Sequence, residues 1–277
     1  MTDDRDVTVP KQPPVSPHVS HCILRGDGTE LSSHDADRPC YAASTVKLAV
    51  LAALGREVAA GTIRLDEQIG AKHVFASKVP GAPDFRLVPD DVDRGLPPEG
   101  TPMSIGEVAR RMIVVSSNEC TNMLVERLGI ELIGAVIADA GAEGVRMGRG
   151  FGDVAAVRAF GVANHVTARG LARLMAALIT GRLCEDDRVN TWMTDLLQAQ
   201  ASPVLAADLP AGVRWGSKDG YVTGIRHDVA WFGAPGPEAL VVAVCTEGVD
   251  HDAANQAIAT IGRIAHDLAG ESHAWTP

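Results

Sequence analysis

Aromatic side chains and lysines are both scarce in this sequence. Phe, Trp and Tyr together make up 4% of the 277 residues, and only five of the 25 basic residues are lysine. Because Ala and Gly are abundant, the low aromatic content predicts an interior of closely packed helices with small contact residues. With 46% hydrophobic and 22% charged residues, the composition excludes a disordered or fibrous chain and allows a sizeable core in one domain or two lobes.

Further absences exclude several kinds of partner. No apolar run is long enough to span a bilayer. The first 18 residues carry acids and prolines where a secretory signal needs a basic start and an apolar stretch. We therefore expect a cytoplasmic protein that does not bind membranes. A net charge of −10 and a pI of about 5.3 disfavour binding to phosphate backbones, so nucleic acid is not an expected partner.

Signs of metal and disulfide chemistry are missing too. The five cysteines are odd in number and widely spaced, which fits reduced thiols better than a disulfide framework. The chain has no H-E-x-x-H string, no paired Cys and His spacing and no G-x-S-x-G elbow. The sequence predicts no metal and no cofactor, and a small-molecule substrate as the partner of a monomer or weak homo-oligomer.

The order of the predicted elements indicates an α+β protein. Two strands come first, at 19–25 and 29–33, followed by the buried helix that begins near residue 44. Five further helices are predicted at 104–115, 121–128, 130–140, 167–180 and 187–199. Three strands, at 213–217, 228–233 and 240–246, and a last helix at 251–268 complete the chain. Both ends of the chain would build one α/β lobe (18–43 and 213–277), with an all-helical lobe (44–212) inserted between them. We predict a flexible tail at 1–17 and a long loop at 79–102.

Three short polar strings follow one another along the chain: STVK at 44–47, SSN at 116–118 and KDG at 218–220. Ser44 and Lys47 are three residues apart at the start of an apolar helix, so their side chains share a face. Free N–H groups there favour an oxyanion, and a lysine in apolar, cationic surroundings can accept a serine proton. The alternative is a serine cap beside a solvated lysine. The apolar residues 48–51 disfavour it, since they predict a buried helix.

The other two strings are weaker signals on their own. Ser-Ser-Asn is ordinary turn composition, but here it interrupts two apolar helical segments, so its side chains would have to face a cleft or satisfy one another. Asp-Gly is common in hairpin turns. Trp215 before it and the strand TGIRHDVAWF after it nevertheless predict that Lys218 lies at a strand end.

Taken in order, the strings resemble the S-x-x-K, S-D-N and K-T-G motifs of class A β-lactamases and penicillin-binding proteins. The resemblance covers about residues 18–270 and includes the stretches VVSSNECTNMLVERLG and GIRHDVAWF. It implies the β-lactamase/transpeptidase-like fold, an antiparallel sheet flanked by helices with an inserted all-helical lobe. It also implies an enzyme, a serine hydrolase that works through an acyl-enzyme.

The resemblance implies the catalytic roles. Ser44 would be the acylated nucleophile, and Lys47 its partner in proton transfer. Ser116 would relay a proton to the leaving group, while Lys218 would lower the pKa of Ser116 and bind anionic substrate groups. Asn122 matches a family asparagine that braces the loop beneath the site.

The substrate-binding residues are implied in the same way. Asn118 would hold a substrate amide, and Arg226 would be a second cation for a substrate carboxylate. The N–H groups of Ser44 and of Tyr221, which follows Gly220 of the third motif, would form the oxyanion hole.

The sequence departs from the family pattern in both later motifs. Ser117 replaces the aspartate of S-D-N, a largely structural residue, so we expect a modest effect. Asp219 replaces the hydroxyl residue of K-T-G, which helps to bind a substrate carboxylate. Asp219 would either repel such a substrate or pair with Lys218 or a nearby arginine, and the sequence leaves both readings open.

A third departure concerns the segment at 144–168, which by the resemblance should contain the loop that supplies the glutamate of class A β-lactamases. The usual E-x-x-L-N string is absent from it. Asp153 is the only acid between Glu143 and Glu185. It is therefore the one carboxylate candidate for activating the deacylating water, the alternative being a loop or cap residue. His165 is a lesser candidate.

Together these residues predict a metal-free serine hydrolase acting on a β-lactam or a related amide or ester. Its acyl-enzyme at Ser44 would hydrolyse slowly without a well-placed base, which favours weak rather than efficient β-lactamase activity. Two alternatives stay open: an intracellular esterase or peptidase of the same fold, and a non-catalytic sensor that is acylated and signals through a partner.

Overall fold

The computed structural model describes residues 16–273, which form nine β-strands and eight α-helices. The first part contains β1 (His18–Arg25), β2 (Glu30–His34), β3 (Cys40–Tyr41), a 3-10 helix (Ala43–Val46), α1 (Lys47–Ala59), β4 (Gln68–Gly70) and β5 (Pro102–Ser104). The middle contains α2 (Ile105–Val114), α3 (Asn118–Leu128), α4 (Ile130–Asp139), α5 (Val154–Phe160), β6 (His165–Val166), α6 (Ala168–Ile179) and α7 (Asp187–Gln198). The last part contains β7 (Trp215–Val222), β8 (Ile225–Phe232), β9 (Leu240–Glu247) and α8 (His251–His273).

Both ends of the chain build one antiparallel sheet, with the strand order β2-β1-β9-β8-β7. β1 pairs with β9 along its whole length, from His18 opposite Glu247 to Arg25 opposite Leu240. Every residue of β8 and β9 is buried, because α6 packs on one face of the sheet and α8 on the other. The α+β fold class predicted from the sequence is confirmed.

Helix α1 is the centre of the helical part of the molecule. Its residues 47–55 are all buried, as expected for a helix that is apolar on every side. It packs against α2, α3, α4, α6 and α7. Lys47, its first residue, therefore lies inside the protein and not in solvent.

Three details of the predicted elements are wrong. Helix α3 begins at Asn118 and not at residue 121, so the break between the two helices is shorter than predicted. Lys218 lies in the middle of β7, because that strand continues through the Asp-Gly pair to Val222. Helix α5 lies in the segment at 144–168, where no helix was predicted, and it starts where the Asp153 side chain accepts the N–H of Ala156.

Some predictions on organisation lie beyond what the structure tests. The predicted tail at 1–17 falls outside the described residues, except for its last two positions. The division into two lobes at 43–44 and 212–213 stays a prediction. All five cysteines are buried free thiols. In the part of the chain that is described, no helix is long and apolar enough to cross a membrane.

Asp228 anchors the loop between α7 and β7. It is fully buried in β8, and its Oδ2 accepts the N–H groups of Val204 and Leu205, both at 2.9 Å. Burial, together with the negative charge of Asp219 opposite it on β7, raises the pKa of Asp228 to about 6. The anchor therefore holds a loop next to the third motif with a carboxyl group that resists ionisation.

Asp228→Asn should change how stability depends on pH. The folded-state pKa of about 6 exceeds the ordinary 3.8, so ionisation of Asp228 destabilises the fold as pH rises between these values, and the cost is complete above them. The difference corresponds to about 2–3 kcal/mol, and a neutral amide does not incur it. The measurement is urea unfolding at about pH 4 and about pH 7.5. Between these two pH values, the free energy of unfolding of the variant should increase by this amount relative to that of wild type.

Asp195→Asn, on an exposed position of α7, is the matched control and should follow wild type at both pH values. Equal pH dependence for wild type and Asp228→Asn would contradict the assignment.

Candidate active site

The candidate nucleophile lies in a strained segment just before α1. Ser44 is half-buried in the 3-10 helix. The preceding residue, Ala43, has a φ of 45°, in the left-handed region that residues with a side chain rarely adopt. Ala42 is fixed by a hydrogen bond from its N–H to the carbonyl of Asn164, at 3.0 Å. Such strain persists only where the surroundings hold the backbone in place.

Two side chains of the sheet hold the backbone of Tyr41, three residues before Ser44. The Tyr41 N–H donates to Glu247 Oε1 at 3.0 Å, and His227 Nε2 lies 2.9 Å from the Tyr41 carbonyl. His227 Nδ1 lies 3.1 Å from the Thr246 nitrogen and 2.9 Å from the Arg226 carbonyl oxygen, so both ring nitrogens contact backbone groups. The sequence reasoning missed His227 and Glu247. The one available signal was a histidine inside a predicted strand segment, GIRHDVAWF.

The edge strand β7 runs directly against the nucleophile segment. A Cβ atom added at Gly220 would lie 3.0 Å from the Ser44 backbone nitrogen and 3.1 Å from Ala43 Cβ, so a larger residue would press on the nucleophile segment. Tyr221 follows Gly220, and its side chain is 52% exposed. The centroid of the Tyr221 ring lies 4.8 Å from that of His251. An oxyanion hole needs two converging backbone N–H groups, and Ser44 and Tyr221 belong to the two segments that meet here.

Lys47 joins the first motif to the second. It is fully buried, and its Nζ lies 2.6 Å from Ser116 O, 2.7 Å from Asn118 Oδ1 and 3.1 Å from Ser116 Oγ. Burial, and after it the positive charge of Lys218, lower the pKa of Lys47 well below its ordinary value. A neutral amine can donate to Ser116 O and Asn118 Oδ1 and still offer a lone pair to a hydroxyl proton.

The second motif combines a strained residue with a helix cap. Ser116 has a φ of 58°, and its carbonyl is the one that Lys47 binds. Ser117 is the N-cap of α3, because its Oγ accepts the N–H of Cys120 at 3.2 Å. Serine and aspartate cap helices about equally well, which explains how S-S-N can stand where S-D-N is expected.

The loop at 79–102 reaches the site through α3. Asn118 Nδ2 donates to the Asp91 carbonyl at 3.1 Å, and the Glu119 carboxylate accepts the N–H of Asp93. Asp93 in turn pairs with Arg111 of α2 through two hydrogen bonds of 2.8 and 2.6 Å. The sequence reasoning missed Glu119, Asp93 and Arg111, although the acids clustered in this loop were a signal.

The third motif forms a buried ion cluster with Arg226. Asp219 Oδ1 lies 2.9 Å from Lys218 Nζ, and Asp219 Oδ2 lies 2.6 Å from an Arg226 guanidinium nitrogen. Gln200 donates to Asp219 Oδ1 at 2.9 Å. Despite burial, the two cations hold the pKa of Asp219 at about 2. Asp219 therefore makes the pairing with Lys218 and a nearby arginine that the sequence left open.

Asn122 braces the loop at 150–152 through a single residue. Its Oδ1 accepts the Phe151 N–H at 2.7 Å, and its Nδ2 donates to the Phe151 carbonyl at 2.8 Å. The Phe151 ring centroid lies 4.7 Å from Lys47 Nζ. The side chain that Asn122 fixes beside the amine is therefore an aromatic ring and not a carboxylate.

Comparison with known families agrees with this geometry. A family model described as the beta-lactamase enzyme family matches residues 14–269, which is most of the chain. The chain belongs to the beta-lactamase enzyme family.

Solved structures show the same fold over nearly the whole chain. A β-lactamase from Sphaerobacter thermophilus is 29% identical, with 92% of each chain covered and a TM-score of 0.76. An ancestral class A β-lactamase, that of the last common ancestor of Gram-negative bacteria, is 24% identical. The match covers 91% of this chain and 94% of that chain, with a TM-score of 0.72. PBP-A is 21% identical, with 95% and 93% covered and a TM-score of 0.74. No relative matches among curated proteins.

In this β-lactamase family member, the two candidates for the base lie in structural positions. Asp153 is buried, and its Oδ1 accepts from Ser77 Oγ at 2.8 Å and from the Ala156 N–H at 3.0 Å. Its Oδ2 accepts the Lys78 N–H at 2.8 Å. These hydrogen bonds cap α5 and connect it to the loop at 77–78. They are the contacts of a loop or cap residue, which was the alternative to a base at Asp153. His165 lies in β6, which pairs with β3, and burial lowers its pKa.

Asn122→Ala should loosen residues 150–152 and lower the free energy of unfolding by about 1–3 kcal/mol. The reason is that both backbone polar groups of Phe151 lose their partner. Urea unfolding measures the stability, and amide hydrogen exchange at Phe151 reports the local effect, which should be faster exchange.

Asn190→Ala is the matched control, because Asn190 also holds a backbone carbonyl, that of Cys184 at 2.8 Å. It should lose stability without faster exchange at Phe151. Unchanged exchange at Phe151 in Asn122→Ala would refute the bracing role.

Proposed function

We propose that this protein is a serine hydrolase in which a β-lactam, or a related amide or ester, acylates Ser44 and the acyl group then leaves slowly. The observation that carries the proposal is Lys47, a buried amine with a lowered pKa, within hydrogen-bond distance of Ser116 and Asn118. A serine hydroxyl needs such a neighbouring base to become a nucleophile at neutral pH. Membership of the beta-lactamase enzyme family supports the same reaction class.

In the proposed acylation, Lys47 Nζ accepts the Ser44 proton while Ser44 Oγ attacks the substrate carbonyl carbon. The oxyanion that forms from the substrate carbonyl accepts hydrogen bonds from the N–H groups of Ser44 and Tyr221. The close approach of Gly220 to the Ser44 nitrogen supports this arrangement. Ser116 then gives its proton to the leaving nitrogen or oxygen. Lys47 Nζ, 3.1 Å from Ser116 Oγ, restores that proton to Ser116.

Slow release of the acyl group is supported by the surroundings of the amine. Hydrolysis of an acyl-enzyme needs a base that activates water. The Phe151 ring beside Lys47 cannot accept a proton, and it keeps water away from that side of Nζ. Asp153, the carboxylate that the sequence offered, already accepts three hydrogen bonds.

A second function, an acylated sensor, is favoured by the same two observations. A sensor needs an acylated serine but no deacylation base, so an aromatic ring beside the amine and an engaged Asp153 suit it. A slow esterase or peptidase uses the same residues as the leading proposal. Turnover separates the enzymes from the sensor.

Incubation with a fluorescent penicillin, a chromogenic cephalosporin and a p-nitrophenyl ester, followed by intact-mass measurement, tests the proposal. We expect a mass increase of one acyl group that persists for longer than it took to form. Ser44→Ala should slow acylation by at least about a thousandfold, because the nucleophilic oxygen is removed.

Ser33→Ala, on the exposed strand β2, is the matched control and should be acylated like wild type. A lasting adduct without turnover would favour the sensor. No adduct and no turnover with all three reagents would refute the proposed reaction.

A further inference from the structure

The two cations on the β7 and β8 side of the site are already paired within the chain. Lys218 is fully buried and Arg226 is 7% exposed, and one carboxylate, that of Asp219, contacts both. Its Oδ1 accepts from Lys218 and Gln200, and its Oδ2 accepts from Arg226. Both oxygens therefore have charged partners.

The remaining contacts of the cations are internal as well. Lys218 Nζ also donates to the Asp219 carbonyl at 2.9 Å, and Arg226 Nε donates to Asn255 Oδ1 of α8 at 2.9 Å. Asp219 stays ionised at neutral pH, since the cations hold its pKa at about 2. A soluble anion would have to displace a carboxylate that is tethered to the strand beside both cations.

We infer that Asp219 sets the charge selectivity of the site. The site accepts neutral esters or amides, which are uncharged where they face β7, and disfavours acyl substrates that carry a carboxylate there. This inference rests on the proposed acylation of Ser44. β7 carries Asp219 and, one residue later, the Gly220 backbone that lies against the Ser44 nitrogen. A substrate carbonyl bound at Ser44 therefore lies beside this cluster. A second carboxylate there would meet Asp219 with its cations already engaged, and like charges in partly buried sites repel strongly.

The alternative is that Asp219 only stabilises the sheet edge and plays no part in substrate choice. It makes a different prediction. Removal of Asp219 would then lower stability without changing the preference between neutral and charged substrates, whereas a selectivity residue changes the preference itself.

The test compares two p-nitrophenyl esters that differ only in a carboxylate on the acyl part. The measured quantity is the ratio of their second-order acylation rate constants. Wild type should acylate with the neutral ester at least about tenfold faster. Asp219→Thr and Asp219→Asn free both cations, so each should shift the ratio at least about tenfold towards the charged ester, and added salt should reduce the shift.

Asp195→Asn on α7 changes the net charge equally and should keep the wild-type ratio. Thermal unfolding shows whether the Asp219 variants fold. If neither folds, wild type decides, and equal rates with the two esters would overturn the inference. Ser44-dependent acylation with a ratio that Asp219→Thr and Asp219→Asn leave unchanged would overturn it as well. No Ser44-dependent acylation by either ester would overturn the proposed function and this inference together.

Discussion

The burial of one lysine amine is the constraint on which the rest of the site depends. Lys47 begins a helix that is surrounded by five others, so its amine cannot reach solvent and must find partners inside the protein. Ser116, just before α3, and Asn118, its first residue, supply these hydrogen-bond partners. The positive charge of Lys218 is close enough to lower the pKa of the amine further. Because desolvation and like charge both disfavour the ammonium form, the fold itself favours a neutral amine at Lys47.

Much of the fold and part of the site follow from patterns that the sequence displays. The apolar run after Lys47 predicts a buried helix, and short β-branched runs at both ends predict strands, which the structure joins in one sheet. The spacing of S-x-x-K predicts that Ser44 and Lys47 share a helix face. That the three motifs share a site is what their resemblance to the family motifs implies, and the contacts of Lys47 with Ser116 and Asn118 agree with it.

The rest depends on distances across the fold that no local pattern contains. Phe151 lies beside the amine only because Asn122, 29 residues earlier, binds both of its backbone groups. His227 reaches Tyr41 across 186 residues. Asp219 could not be assigned from the sequence, because its two readings differ in side-chain geometry and not in residue type. Helix α5 was missed since its cap is a single aspartate within a glycine-rich segment.

The pKa of the Lys47 amine tests the account most directly. With only five lysines in the chain, a pH titration of the side-chain nitrogen signals in protein labelled with 15N-lysine can be resolved, and single Lys→Arg variants assign each signal. The account predicts that the Lys47 signal titrates well below the ordinary value of 10.5, because burial and the positive charge of Lys218 disfavour the ammonium form. A Lys47 amine that titrates at its ordinary value would contradict the account.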